Sequence, residues 1–244
     1  MNVLAIDTAT EACSLAIAIG DRVLSRHVVA GRDQTNVLLP MFHELMVEAK
    51  ISVAQLDAIA CGVGPGSFAG VRIGVGFVKG LGFVRDVPII PVMSLASLAQ
   101  GAMRRAGAAR VLSCIDARMS EVYAAVYERG ANGLARIVGE PRVCKPDALD
   151  ASIAAPWIAT GTGWGTYRDV LLRKFAVAPA AEELSALPEA IDIIALARAA
   201  LASGEAISIA ALEPAYLRND VALTLEQQAI ARKQKSALIR GETP

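Results

Sequence analysis

MNVLAIDTATEACSLAIAIGDRVLSRHVV, residues 1–29, decides how the rest of the chain is read. Residues 3–6 form a short apolar strand, and Asp7-Thr8-Ala9-Thr10-Glu11 is a polar turn. Residues 13–19 make a second strand, Gly20-Asp21 a tight hairpin turn, and residues 23–29 a third strand. The chain therefore opens with three antiparallel strands and holds a polar loop between the first two.

Downstream, the period changes. Residues 35–49 predict a helix, with Leu38, Met41, Phe42, Leu45 and Ala49 on one face and Asp33 or Thr35 as its cap. Pro40 is expected to kink this helix or to end a first short turn. Residues 56–63 read as a buried strand and Gly64-Pro65-Gly66-Ser67-Phe68 as a turn. A second helix covers 69–84 and a strand 87–92, and Ser94 caps a third helix running to about residue 105. The order β-β-β-α-β-α-β-α belongs to one lobe of an α/β, actin-like/sugar-kinase-like (ASKHA, ribonuclease H-like) fold. The second half is looser. Strands at 111–115 and 122–127 meet at Asp116-Ala117-Arg118-Met119, and further strands are expected at 135–138 and 157–160. Helices are expected at 166–175 and 191–202, with 176–188 as a surface connection. We divide the chain into a first lobe (1–106), a smaller, degenerate second lobe (107–210), and a C-terminal segment and tail (211–244) packing back on the first. No sequence repeat links the halves.

Composition narrows the function. Of 244 residues, 54% are apolar, so either the core is large or some surface is covered by another protein. Lys plus Arg equals Asp plus Glu at 24 each, which removes any global attraction for polyanions. The one basic patch, Arg232, Lys233, Lys235 and Arg240, reads as a solvated terminus. Cys13, Cys61, Cys114 and Cys144 are widely spaced without a CxxC, which fits a reducing compartment. Neither a signal peptide nor an apolar run of membrane-spanning length is visible, so a soluble cytoplasmic protein without membrane contact is expected.

Candidate chemistry is sparse. Asp7, Thr8 and Thr10 occupy the position of a phosphate loop, yet Ala9 stands where a glycine would let backbone N–H groups reach a phosphate. Gly64-x-Gly66-x-x-Ala69 matches a dinucleotide fingerprint only formally, because Pro65 removes a donor and no βαβ unit starts there. His27 and His43 lack the spacing of a metal pair, so no metal and no cofactor is assigned. Asp116, Arg118 and Glu121 either form an ion-pair network at a strand end or line the cleft between lobes. The second helix is apolar nearly all round. Val71, Val75 and Val78 lie on one side and Ile73, Phe77 and Leu81 on the other, with Gly70, Gly74, Gly76, Gly80 and Gly82 between. Each interior glycine costs about 1 kcal/mol against alanine, so something must offset them.

With these residues in view, the chain resembles the TsaB (YeaZ) family. The resemblance is carried by LAIDTATEACSLAI, TNVLLPMFHELM, GVGPGSFAGVRIGVGFVKGL, PVMSLASLAQ, DARMSEVYAAVY and EPAYLRND. It is dense to about residue 100 and thin beyond 127. Ala69 stands where the family usually has threonine. The resemblance implies a non-catalytic paralogue of the transferase TsaD, which threonylcarbamoylates N6 of adenosine 37 in tRNAs reading ANN codons. Such a subunit pairs with TsaD through its two first-lobe helices and is joined by the ATPase TsaE. It also pairs with itself as a homodimer, and meets tRNA only through the complex. TsaD holds a metal through histidines on the helix corresponding to 35–49, where this chain has Gln34 and His43 and no histidine pair. The expected contact residues are Leu38, Met41, Phe42, Leu45, Gly70, Val71, Arg72, Gly74, Val75 and Val78. An ATP-binding enzyme of the same fold, ATPase or metalloprotease-like, is the alternative.

Overall fold

The computed structural model describes residues 1–218; the basic patch Arg232 to Arg240 lies outside them. β1 (Asn2–Asp7), β2 (Ala12–Ile19) and β3 (Arg22–Val29) form the expected antiparallel meander, extended in parallel by β4 (Ala58–Gly62) and β5 (Ile89–Val92) in the order β3-β2-β1-β4-β5. In the second half, β6 (Arg110–Arg118), β7 (Glu121–Arg129), β8 (Ala135–Cys144), β9 (Ile158–Thr160) and β10 (Ala181–Glu183) give the order β8-β7-β6-β9-β10. Third, second, first, fourth, fifth is the same path in both, so the two lobes repeat one topology that their sequences do not show. The second copy lacks a helix between its third and fourth strands, where only a single 3-10 turn at Pro146–Ala148 stands.

Helices fill the layers. α1 (Gln34–Ala49) and α2 (Phe68–Gly82) cover one face of the first sheet, and α5 (Ala190–Ala202) covers the other. α3 (Ser94–Ala106) packs on the second sheet, whose far face meets α4 (Thr162–Leu172). Strand alternation decides which face meets which helix. Leu4, Ile6, Leu15, Ile17 and Ile59 point at α1 and α2, whereas Ala5, Ala16, Ala18, Ala58 and Ala60 face α5. Those small side chains let α5, with its own Ala190 and Ala197, lie close to the sheet. Each lobe thus borrows a helix encoded at the end of the other half. Arg104 of α3 grips Asp192 of α5 through two hydrogen bonds of 2.8 and 2.9 Å, and Arg105 reaches Glu183 and Glu189 at 2.7 and 2.6 Å.

Several local expectations change. α1 runs unbroken through Pro40, and the Asp33 side chain makes no capping bond. Ser94 is the first residue of α3 and not its cap; its hydroxyl is used elsewhere. Residues 176–188 contain β10, which pairs in parallel with β9. After α5 the chain returns to the first lobe. Ile207 exchanges two backbone hydrogen bonds with Ile89, Leu212 is fully buried beneath α1 and α2, and Ala215 N–H donates to the Val63 carbonyl at 2.8 Å.

The β6–β7 hairpin closes on Met119 and Ser120, with Arg118 opposite Glu121. Arg118, Met119 and Ser120 have φ of 59°, 55° and 59° without a glycine among them. L-residues pay about 1–2 kcal/mol each for this region. Ser120 is exposed and makes no side-chain contact that glycine would lose. Ser120→Gly is expected to raise the unfolding free energy by about 1 kcal/mol in equilibrium denaturation; an unchanged midpoint would mean that the tip is not held left-handed.

Candidate functional site

The turn after β1 is clamped from every side. Asp7 is 1% exposed; its Oδ1 accepts from Ala9 N–H at 2.8 Å and its Oδ2 from the Ser94 hydroxyl at 2.8 Å. A Cβ at residue 62 would lie 2.1 Å from Asp7 Oδ2, so only Gly62 fits beneath it. The Thr8 hydroxyl donates to the Gly70 carbonyl at 2.7 Å. A Cβ at Gly70 would stand 2.2 Å from the Thr8 carbonyl oxygen, and one at Gly74 2.6 Å from Thr8 Oγ1. Ser67 N–H donates to the Ala9 carbonyl at 2.6 Å, where a Cβ at Gly66 would be 2.0 Å away. From α1, the buried Gln34 amide donates to the carbonyls of Thr8, Thr10 and Ala12. Burial pushes the Asp7 carboxyl from 3.8 up to about 6, against the pull of its two donors.

Above this turn lies a cleft of about 550 Å³ between the lobes. Thr10 and Glu11 form its first-lobe rim, Asp116 and Arg118 its second-lobe rim, and residues 215–218 cross beside it. Asp7 and Thr8 do not reach it; they are packed underneath. Arg118 bridges the rims, with Nη2 2.7 Å from Glu11 Oε1 and Nη1 3.1 Å from Asp116 Oδ2. The Arg118 side chain is largely exposed, so solvent screens the bridge to about 1 kcal/mol or less. Arg218 pairs with Glu121 and donates to the Ala117 carbonyl at 3.2 Å. Asp116 and Arg118 pair and line the cleft, whereas Glu121 joins Arg218 instead and lies outside the cleft lining. Among the described residues no group of three or more His, Cys, Asp and Glu gathers at metal-binding distance. His27 and His43 are exposed and lie on β3 and α1.

The ten residues expected at a partner contact fall differently. Leu38, Met41, Phe42, Leu45, Val71, Val75 and Val78 are at most 9% exposed, and Gly70 and Gly74 are buried. These nine face their own chain and Arg72 alone is exposed. This burial has a physical cause: the valine side of α2 packs on the first sheet, while its other apolar side leans on α1. Phe77 meets Phe42 edge to face at 5.2 Å. What these two helices show to solvent is a second set. On α1 the exposed large apolar side chains are Leu39 and Val47, 61 and 63% exposed, among the exposed Thr35, Asn36, Pro40, His43, Glu44 and Glu48; on α2 the exposed residues are Phe68, Ala69, Arg72, Gly76 and Gly80. A Cβ at Gly76 or Gly80 would meet nothing within 4 Å. Helical spacing was the signal available for separating the two glycine pairs, but which pair faces inward depended on the turn lying beneath Gly70 and Gly74. Tyr216 and Arg218 also line the cleft region; they fall in the EPAYLRND stretch that carries the family resemblance, but no spacing there marks them as cleft residues.

Comparison with known proteins agrees with this architecture. The family model for TsaD, tRNA N6-adenosine threonylcarbamoyltransferase, matches residues 27–238. The tRNA threonylcarbamoyladenosine biosynthesis protein TsaB of Escherichia coli is 40% identical over 225 residues, covering 91% of this chain and 96% of that protein. The TsaB of Haemophilus influenzae is 35% identical over 229 residues, covering 91% of this chain and 95% of its own. YeaZ from Pseudomonas aeruginosa superposes with a TM-score of 0.83 at 42% identity, over 88% of this chain and 99% of that one.

Two measurements probe the clamped turn. A carboxyl whose folded pKa lies above its unfolded value contributes stability that is fully present below about pH 3.8 and is lost as pH rises through about 6. For Asp7 the swing amounts to about 3 kcal/mol. Asp7→Asn can keep both bonds, accepting from Ala9 and donating to Ser94. It is expected to flatten this part of the stability profile between pH 4 and 7, as read by chemical denaturation; a profile identical to the parent's would refute the assignment. Gly70→Ala, forced against a backbone carbonyl, should cost about 2 kcal/mol or more.

Proposed function

The chain belongs to the TsaB (YeaZ) family, and we propose that it serves tRNA threonylcarbamoyladenosine biosynthesis as a pairing subunit without a catalytic centre of its own. It docks a TsaD-type transferase through the outer flanks of α1 and α2, and a TsaE-type ATPase joins the pair. The transferase modifies N6 of adenosine 37 in tRNAs reading ANN codons, and this subunit meets tRNA through the complex.

The observation that carries the reading is the pair Gly76 and Gly80. Gly70 and Gly74 are demanded by Thr8, so their helix cost is offset inside the chain. Gly76 and Gly80 have open space where a Cβ would stand, so nothing within the described residues requires them. They leave about 2 kcal/mol of helix stability unrealised on a solvent-facing strip. A strip without side chains, beside the half-buried Ile73 and Phe77, lets another helix approach closely, and the neighbouring α1 adds the exposed Leu39 and Val47. The same face brought against its own copy would give an isologous homodimer. Support for the non-catalytic part comes from the turn after β1. Its buried carboxylate, Asp7, is turned inward to Ser94 and Ala9, Glu11 at the cleft rim is paired with Arg118, and the carbonyls are taken by Gln34 and Ser67.

Gly76→Arg and Gly80→Arg place a bulky cation on the strip without touching the core. Each is expected to leave the melting temperature unchanged or higher and to abolish co-purification with the TsaD-type transferase. Full retention of binding by the folded variants would refute the docking face. ATP- or metal-dependent turnover by the purified chain, removed by Asp7→Ala, would refute the absence of a centre.

A further inference from the structure

We propose that Arg72, stacked between Phe68 and Tyr216 at the mouth of the inter-lobe cleft, is the seat for a carboxylate on an acidic segment of the docked partner protein. The inference rests on the pairing reading above and adds the partner's chemistry to it.

The guanidinium carbon of Arg72 lies 3.3 Å from the centre of the Phe68 ring and 5.0 Å from that of Tyr216. Its Nη1 donates to the Phe68 carbonyl at 3.2 Å. Among the described residues no carboxylate pairs with it, and its other N–H groups have no acceptor. Two arginines around the cleft differ, since Arg118 holds Glu11 and Asp116 and Arg218 holds Glu121; Arg32 also lines the cleft without a carboxylate partner among the described residues, but no aromatic ring stacks on it. Arg72 is therefore fixed in place by aromatic stacking while its fork of donors stays open, so a ligand does not have to order it.

The surroundings say which ligand. α2 carries Arg72 and Lys79 and no acidic residue, and its N-terminal end adds partial positive charge. The flanking rings are far from buried, Phe68 at 61% and Tyr216 at 47% exposed. Arg, Tyr and Phe grouped around one guanidinium have the composition of a protein–protein hot spot. The seat is built from two segments, α2 and the returning chain at 215–218. It runs directly into the exposed strip of Ala69, Gly76 and Gly80 on the same helix. Charge complementarity and this continuity point to an Asp or Glu on the protein that covers the strip.

The test is the affinity of the full chain for the TsaD-type transferase, titrated at low and high salt. Arg72→Glu is expected to weaken binding about 100-fold and Arg72→Lys about 10-fold, because lysine keeps the charge and loses the stack and the fork. Tyr216→Ala should cost about 10-fold. The salt dependence of binding should shrink in Arg72→Gln. Arg72 is exposed, so melting temperatures serve as the control for folding. If Gly76→Arg abolishes pairing while Arg72→Glu leaves affinity unchanged, the seat is refuted and the docking face stands. If neither variant affects pairing, both fall. Loss of tRNA binding by Arg72→Glu with transferase affinity intact would also overturn the seat, since its ligand would then be a phosphate.

Discussion

α2 can lie against the first hairpin turn only because residues 66, 70 and 74 carry no Cβ. That approach puts Ser67 N–H on the Ala9 carbonyl and the Thr8 hydroxyl on the Gly70 carbonyl. With the turn held there, Asp7 is shut away from water and serves as an internal anchor, tying β1 to the start of α3 through Ser94. The same contact turns Val71, Val75 and Val78 onto the sheet and so fixes which stripe of α2 is left outside. The buried anchor, the closed turn and the solvent-facing glycines are consequences of one close approach.

The second constraint is the exchange of helices between lobes. α3 completes the core of the second sheet and α5 that of the first. The two helices also touch, and Arg104 and Arg105 bind Asp192, Glu189 and Glu183 across that contact. Asp192 is 1% exposed, so removing Arg104 would leave a buried charge without its partner, which is costlier than losing a surface pair. The lobes are thus joined through their cores as well as across the cleft, where Arg118 and Arg218 make weaker, solvent-screened links.

The proposed docking face follows from what remains after these demands are met. Inner glycines answer a steric need, whereas outer glycines answer none within the described residues. Physically this separates a helix that is small-sided because something already lies against it from one that is small-sided because something can.

Much of the first lobe was legible in the sequence, for definite reasons. Apolar alternation in residues 2–29 fixes a meander because a one-residue slip would turn every core side chain to water. The i, i+3, i+4 spacing of Leu38, Met41, Phe42 and Leu45 fixes which side of α1 is buried. Local pattern could not tell whether that buried side met its own chain or another, since burial by either leaves the same stripe. Only the tertiary structure decided this, by placing the first sheet and Phe77 against those residues and leaving Leu39 and Val47 outside. It likewise decided that Gly70 and Gly74 belong to the turn while Gly76 and Gly80 face outward, because the distinguishing neighbour, Thr8, lies more than sixty residues away in the chain. The repeat of topology in the second lobe was hidden for a related reason. Strand order is set by long-range pairing, which very different apolar sequences satisfy equally well.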